Sequence, residues 1–265
     1  MRTIVLSAAL AAVLLPGVCR PGWAADDVKA DEIIQKFAAK ELEFSQARNN
    51  YTYRQSVKLE EVEGGGKWEE VADIIFTPEG KRMEKVIYAP VISLHHIGLT
   101  PEDVQDLRNV QPFVLTTPEI PDYDIQYLGR EKIDEVGCYT FSVKPKKMVK
   151  GKRYFEGQIW VDDRDLQIVK TYGKGAGLNA EHQAFPKFET YREQIDGKYW
   201  FPTYTTAKDT LHFKNGDNVP IRMTVKYQDY KKYEGRSTIK FGDVVEDGKK
   251  GAGVPPATPP STKKK

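Results

Sequence analysis

Residues 154–172 constrain the fold of this chain more than any other stretch. Apolar and polar side chains alternate over residues 155–161, and the alternation resumes over residues 166–171. A repeat of two residues is that of a β-strand, whose successive side chains point to opposite faces. Three aspartates lie between the two runs, at residues 162–165, and aspartate bonds nearby backbone amides in tight turns. The stretch therefore predicts a β-hairpin.

The same alternation recurs through most of the chain, over residues 51–239. Two further pairs of runs enclose Asp-Gly at 196–197 and Asn-Gly at 215–216, dipeptides that are typical of two-residue hairpin turns. If residues 198–206 and 210–213 are separate strands, the alternation predicts about eleven antiparallel strands. A sheet of that width curls because strands twist, and helices must cover one of its faces.

The start of the chain does not follow this pattern. Residues 4–15 are an almost unbroken apolar run after Arg2, and small residues follow within 22–25. That organisation predicts a secretory signal peptide. Lipid anchoring at Cys19 is the less favoured alternative, because the residues before it fit a lipoprotein cleavage site poorly.

The chain is therefore expected to have three parts. Residues 1–25 are predicted to be a signal peptide, and residues 26–241 are predicted to form one half-barrel domain. Residues 242–265 are rich in proline and lysine and have too little apolar surface to pack, which predicts a disordered tail.

The charge of the chain excludes one class of partner. The net charge is +2, and charges of both signs are interspersed, so we expect no nucleic-acid partner. The basic run at residues 144–153 predicts a solvated hairpin tip, with contact to anionic lipid or a protein partner as the alternative.

Two helices interrupt the strands. Residues 26–49 carry apolar side chains at steps of three and four, which predicts an amphipathic helix packed on the domain's own sheet. Residues 89–120, which we call the insertion, are strongly apolar for a connection. Within the insertion, Thr100 and Pro101 with the acids after them predict a short helix that ends near Asn109. The insertion is either a lid for a ligand or a plug at one end of the sheet.

Residues that carry catalysis or bind metals are sparse. Cys138 is the one cysteine outside the predicted signal peptide, and its position at a strand start predicts a buried, inert thiol. His95 and His96 are adjacent, so on an extended backbone they point opposite ways and cannot easily share a metal. We therefore predict a protein that is not an enzyme and needs no metal or cofactor. A hydrolase of unrecognised type is the least favoured alternative.

Several stretches resemble the outer-membrane lipoprotein-sorting proteins of the LolA/LolB-like superfamily, which includes RseB-like regulators. They are the helix ADEIIQKFAAKELEF, the hairpin FEGQIWVDDRDLQIVKTYGK and the closing strands YWFPTYTTAKDTLHF and IRMTVKYQDYKKY. The resemblance spans most of residues 26–233. It implies a mainly β fold, an unclosed antiparallel β-barrel with an N-terminal helix and a short lid helix over an apolar cavity. The chain has no clear match to the arginine that governs ligand release in the sorting chaperone, although Arg54 lies on an early strand.

Two functions follow from this resemblance. The first is a monomeric periplasmic carrier that binds lipid or lipoprotein acyl chains in outer-membrane lipoprotein sorting. The second is a periplasmic sensor or scaffold that binds an outer- or inner-membrane protein partner through the same fold. For the carrier we expect ligand contacts from the insertion and from one sheet face, although a period of two does not say which face is inward. The candidate ligand-binding residues are Val91, Leu94, Ile97, Leu107, Phe113, Phe141, Ile159 and Val225.

Overall fold

The alternating runs form one antiparallel sheet. A computed structural model of the chain describes residues 29–77, 79–109, 112–177 and 185–232. In these residues the sheet has ten strands, which confirms the mainly β class. The predicted signal peptide and the predicted C-terminal tail lie outside the described residues.

The strands are hydrogen-bonded in the order β3-β2-β1-β10-β9-β8-β7-β6-β5-β4. They are β1 (Tyr51–Glu61), β2 (Lys67–Phe76), β3 (Arg82–Tyr88), β4 (Tyr123–Ile133), β5 (Val136–Pro145), β6 (Tyr154–Asp162), β7 (Ile168–Ala176), β8 (Phe188–Gln194), β9 (Trp200–His212) and β10 (Asn218–Lys232). Strands β3 and β4 are the two edges, so the sheet is not closed into a barrel, as predicted.

The structure has one strand fewer than the alternation predicted. Residues 198–206 and 210–213, predicted as separate strands, belong to the single strand β9. The alternation of buried positions continues through Ala207 to Leu211, although the polar Asp209 between them hides it in the sequence. The Asp209 carboxylate is satisfied locally, because it accepts a hydrogen bond from the Lys187 amide at 2.8 Å.

The predicted turns are made as the sequence indicated. In the turn between β6 and β7, an Asp162 carboxylate oxygen accepts hydrogen bonds from the amides of Arg164 and Asp165 at 2.6 and 2.8 Å. Gly197 has a φ of 74° and Gly216 a φ of 94°, in the left-handed region that glycine adopts without strain. These turns fix the register of three hairpins, and Asp162 serves as a turn residue in the first of them.

The N-terminal helix, α1 (Ala30–Ala47), covers one face of the sheet, which we call the inner face. Its Phe37 is fully buried and lies 5.5 Å from the ring of Phe141 on β5, measured between ring centroids. The same buried stripe contains Glu41, a residue whose type predicts an exposed position. Helix α1 thus packs on the domain's own sheet, and it carries one carboxylate into the core.

The buried Glu41 has two partners. Its Oε1 accepts a hydrogen bond from the amide of Ile168 at 3.1 Å, and both of its oxygens lie 3.1 Å from the Nη1 of Arg192 on β8. Burial raises the pKa of Glu41, and the charge of Arg192 acts in the opposite direction. Arg192 also donates to the carbonyl of Phe113, so this ion pair ties the helix, the sheet and the insertion together.

Cys138 is buried on the other face of the sheet, in a small cluster with Trp160 and Val169. Burial raises the pKa of its thiol to about 11, with a smaller contribution from Asp162. The predicted buried thiol is therefore observed. Among the described helices, none combines the length and the apolar character needed to cross a membrane.

Candidate functional site

The insertion connects the two edges of the open sheet. It leaves β3, contains the second helix, α2 (Pro101–Asn109), and leads to β4 at the opposite edge. Its first part runs beside the start of β2, where the amide of Ser93 donates to the carbonyl of Lys67 at 3.0 Å. The segment that the sequence singled out as a lid or plug therefore links the two strands that a closed barrel would pair.

Glu61, the last residue of β1, anchors this segment. Its carboxylate accepts hydrogen bonds from three consecutive amides of the insertion, those of His95, His96 and Ile97, at 2.9, 2.7 and 2.9 Å. Glu61 is 2% exposed. Burial raises the pKa of Glu61, but the three amides together outweigh that effect, so the pKa lies below its ordinary value.

The anchor requires a glycine at residue 66. A Cβ built on Gly66 would lie 2.3 Å from the Oε2 of Glu61 and 2.8 Å from the carbonyl oxygen of Ser93. Both distances are too short for any side chain. The Gly64-Gly65-Gly66 connection between β1 and β2 therefore allows the insertion to approach β1.

Helix α2 is fixed at its start by a reciprocal cap. The hydroxyl of Thr100 accepts a hydrogen bond from the Asp103 amide at 3.2 Å, and the Asp103 carboxylate accepts one from the Thr100 amide at 2.8 Å. Such a cap satisfies amides that the first turn of a helix leaves unpaired. The predicted start of the helix at Thr100 and Pro101 is confirmed.

Two ion pairs then hold α2 between distant parts of the sheet. Arg108 pairs with Glu84 on the edge strand β3. Asp106 pairs with Arg153, which precedes β6, with its Oδ1 2.9 Å from the guanidinium Nε. Both pairs are largely buried, so they are screened less than surface pairs. The helix is attached on both sides of the opening in the sheet.

A cavity of about 120 Å³ lies between the insertion and the inner face. Its sheet wall is apolar and comes from four neighbouring strands, β2, β1, β10 and β9. The residues of this wall are Leu59, Trp68, Leu211, Ile221 and Met223. The insertion contributes the opposite wall, with Ile97, Leu99 and Leu107. Phe185 and Phe213 complete the apolar lining, and the charged residues among the described lining are Asp103 and Asp106.

Those two aspartates are already engaged, one in the cap of α2 and the other with Arg153. Nothing in the lining is placed to bind a charged group, because neither carboxylate is free and no basic residue is among the described lining residues. The cavity suits an apolar group. Its volume is close to the roughly 150 Å³ of an engineered cavity that binds benzene, so it has room for a group of about six carbons.

The structure places the eight candidate ligand-binding residues in four different settings. Ile97 and Leu107 line the cavity. Leu94 is partly buried against the core beside them, whereas Val91 is 94% exposed and lies away from the cavity. The other four residues are buried in the core and do not line the cavity; they are Phe113, Phe141, Ile159 and Val225.

These core residues support the site from a distance. Phe113 of the insertion stacks on Phe155 of β6, with ring centroids 4.5 Å apart. The Phe155 ring lies over the facing pair Gly157 and Gly173, where a Cβ on either residue would approach the ring to 2.9 Å or less. The β6–β7 hairpin therefore holds the later part of the insertion, and it contributes no residue to the cavity.

Sequence reasoning missed the sheet wall of the cavity. Ile221 and Met223 share an alternating run with Val225, so the pattern alone contained that signal. Leu59 and Trp68 carried no such signal, because only the pairing of β1 with β2 and β10 brings them beside Met223. Phe185 comes from the stretch before β8 and is placed by the fold alone.

The other residues considered for chemistry are not gathered into a site. The rings of His95 and His96 lie 6.4 Å apart between centroids, and their backbone amides rather than their rings bind Glu61. Within residues 29–77, 79–109, 112–177 and 185–232, no group of three or more histidine, cysteine, aspartate or glutamate side chains could hold a metal ion.

No known family profile and no curated protein matches this chain. Among the solved structures similar to it, a DUF1329 family protein from Desulfovibrio piger is 14% identical over 78% of this chain and 94% of that chain, with a TM-score of 0.45. A LolA superfamily protein from Nitrosomonas europaea is 12% identical over 77% and 94%, with a TM-score of 0.34. A putative outer membrane lipoprotein-sorting protein domain from Vibrio parahaemolyticus is 14% identical over 77% and 95%, with a TM-score of 0.35. The last two of these structures carry the names of the superfamily that the sequence resembles.

Proposed function

We propose that this chain is a periplasmic carrier that binds an acyl chain of a lipid or lipoprotein in outer-membrane lipoprotein sorting. The observation that carries the proposal is the apolar cavity between the insertion and the inner face. Burying about six methylene-sized groups there contributes on the order of 5 kcal/mol before the costs of binding. Such a role needs no nucleophile or general base, and we propose that the chain is not an enzyme.

The size of the cavity specifies how a longer chain would bind. A cavity of about 120 Å³ holds the end of an acyl chain but not its whole length. The remaining methylenes must lie between the insertion and the sheet, which requires that the insertion move outward. The polar contacts of Glu61, Asp106 and Arg108 attach the insertion, and such a movement would have to break them.

The test is binding of a fluorescent polyene fatty acid, cis-parinaric acid, to the purified full chain. Leu107→Asp places a carboxylate in the wall of the cavity, so we expect at least tenfold weaker binding. Val91→Asp is the matched control, because it makes the same change on the same insertion at a position that is 94% exposed. Equal loss in both variants would contradict a site in the cavity.

A second variant guards against loss of folding in Leu107→Asp. Leu59→Trp fills the cavity from the sheet side with an apolar ring and should also exclude the probe. If both variants keep the β-type circular dichroism and still bind cis-parinaric acid as the unmodified chain does, the carrier function is wrong. Mass spectrometry of lipid extracted from the purified protein would identify the natural ligand.

One observation favours the second function, the binding of a protein partner. Edge strand β3 and the residues after it expose a run of large apolar side chains: Met83, Val86, Ile87, Tyr88, Val91 and Ile92. An exposed apolar edge strand can accept an extended segment of another protein as an additional strand. Val86→Lys with Tyr88→Lys should then remove a partner that is cross-linked in cells, whereas Leu107→Asp should keep it.

A further inference from the structure

A second cavity, of about 330 Å³, lies at the opposite end of β1 from the apolar cavity. It is bounded by the end of α1, the start of β1, the end of β2 and the last residues of α2. Its charged lining consists of Arg48, Arg82 and Arg108, and none of the described residues that line it is acidic. None of the described residues lines both cavities, so a ligand of this second cavity is independent of the carrier function.

The three arginines are incompletely neutralised. Arg82 and Arg108 both pair with the carboxylate of Glu84, and Arg82 also donates to the Gln55 side chain at 2.8 Å. The guanidinium of Arg48 has no hydrogen bond or ion pair with another described residue, and the nearby Glu41 carboxylate is paired with Arg192. Three guanidinium groups facing one carboxylate leave an excess of two positive charges at this cavity.

The side chain of Arg48 is partly buried, although its guanidinium has no hydrogen-bonding partner among the described residues. Its Nε is enclosed and makes no hydrogen bond, and the same is true of the Nε of Arg82. Burial lowers the pKa of Arg48, although an arginine stays charged at every physiological pH. Buried charges are ordinarily paired, because an unpaired one is costly. The cavity thus holds N–H donors that an acceptor in it would satisfy.

Aromatic side chains form the rest of the wall. Tyr53 and Tyr230 are stacked with ring centroids 5.1 Å apart, and Phe201 lies 4.8 Å from the Tyr230 ring. Phe44 and Phe76 extend this apolar surface. A ligand that matches both features has an oxyanion for the arginines and an apolar body for the rings.

We propose that this cavity is an anion-binding site that takes a phosphate or carboxylate group, with Arg48 as its principal ligand residue. Planar guanidinium groups bind both kinds of oxyanion through paired hydrogen bonds. Two sources share this chemistry, a free phosphate and the phosphate headgroup of a lipid. The apolar walls and the volume favour the headgroup with the first atoms of its chains.

The test is thermal unfolding and isothermal titration of the full chain with two probes, inorganic phosphate and monomeric dihexanoyl phosphatidic acid. We expect phosphatidic acid to raise the unfolding temperature. Arg48→Gln should weaken its binding at least tenfold, the loss typical of removing a charged hydrogen-bonding partner. Arg54→Gln is the matched control, because it removes the same charge six residues further along the chain, from an exposed surface pair with Asp73.

The unliganded variants distinguish a binding role from a structural one. If Arg48 serves a ligand, Arg48→Gln should unfold at the same or a higher temperature than the unmodified chain, because it removes a partly buried charge that has no ion-pair partner. A lower unfolding temperature with no response of the unmodified chain to either probe would overturn the proposal, as would equal loss of binding in Arg54→Gln. Binding of inorganic phosphate as tight as that of phosphatidic acid would identify a small free anion as the ligand.

Discussion

The two cavities occupy opposite ends of the same pair of strands and have opposite chemistry. The apolar cavity lies against Leu59 and Trp68, and its described charged residues are two engaged aspartates. The arginine cavity lies against Tyr53 and Phe76, with three arginines and no acid among its described lining residues. The first satisfies its own polar groups and presents an apolar surface, whereas the second leaves N–H donors unsatisfied. The comparison shows that one inner face can present an apolar cavity at one end of a strand pair and a cationic cavity at the other.

The largest expected effect comes from comparing the arginine that has an ion-pair partner, Arg192, with the arginine that has none, Arg48. Glu41→Ala leaves Arg192 buried without its carboxylate, so we expect a loss of about 3–5 kcal/mol in the free energy of unfolding. Arg48→Gln should cost nothing or stabilise the chain. Urea unfolding of both variants measures the difference, and similar losses would mean that Arg48 is also a structural residue.

A second test weakens the attachment of the insertion at the apolar cavity and leaves the arginine cavity unchanged. Glu61→Ala removes the acceptor of three amides, and their partial exposure to water should limit the loss to about 1–3 kcal/mol. Hydrogen exchange at residues 95–97 should accelerate, and cis-parinaric acid binding should weaken. Gly66→Ala should reproduce both effects because its Cβ would collide with Glu61. Unchanged binding of phosphatidic acid is the control, and a parallel loss would show that the two cavities are coupled.

Acid should act on the same anchor. Because the pKa of Glu61 is lowered in the folded chain, its contribution to stability is complete above the ordinary carboxyl pKa of 4.5 and is lost as the pH falls further through its folded value. The rate of amide hydrogen exchange at residues 95–97, corrected for the pH dependence of exchange in an unfolded chain, should therefore rise only below about pH 4.5. In Glu61→Gln this pH dependence should disappear. A rise at neutral pH would assign the effect to another group.

The smallest expected effect is that of filling the apolar cavity without a ligand. Leu59→Trp adds apolar volume to existing space, so we expect the free energy of unfolding to change by less than about 1 kcal/mol. Differential scanning calorimetry measures this change. A loss of 3 kcal/mol or more, as in overpacked cores, would mean that the cavity has no room for an apolar group.

Sequence patterns predicted the architecture because they are local. The alternation over residues 155–161, the Asp162 turn and the glycine turns at residues 197 and 216 each depend on a few consecutive residues. Where a local pattern was interrupted, as at Asp209 in β9, the prediction divided one strand into two. Glu41 shows the same limit of local patterns. Its residue type predicts an exposed position, but its ion pair with Arg192, which is distant in the sequence, makes its burial possible.

The candidate site was predictable only in part. The insertion was identified by its apolar composition, and Ile97 and Leu107 do line the cavity. Phe141, Ile159 and Val225 share the inward face of the sheet, but they lie in the packed core, as does Phe113 of the insertion. Periodicity assigns a side chain to a face and cannot say which part of that face is filled by neighbours and which part is open.

The sequence by itself determined the strands, the turns, the two helices and the apolar character of the insertion. Tertiary structure decided which distant residues meet. The pairing of β1 with β10 brings Leu59 beside Met223, and the return of α2 toward β3 brings Arg108 near Arg48. Both cavities depend on these long-range contacts, because the period of a strand fixes the direction of each side chain, whereas sheet order and register fix what that side chain faces.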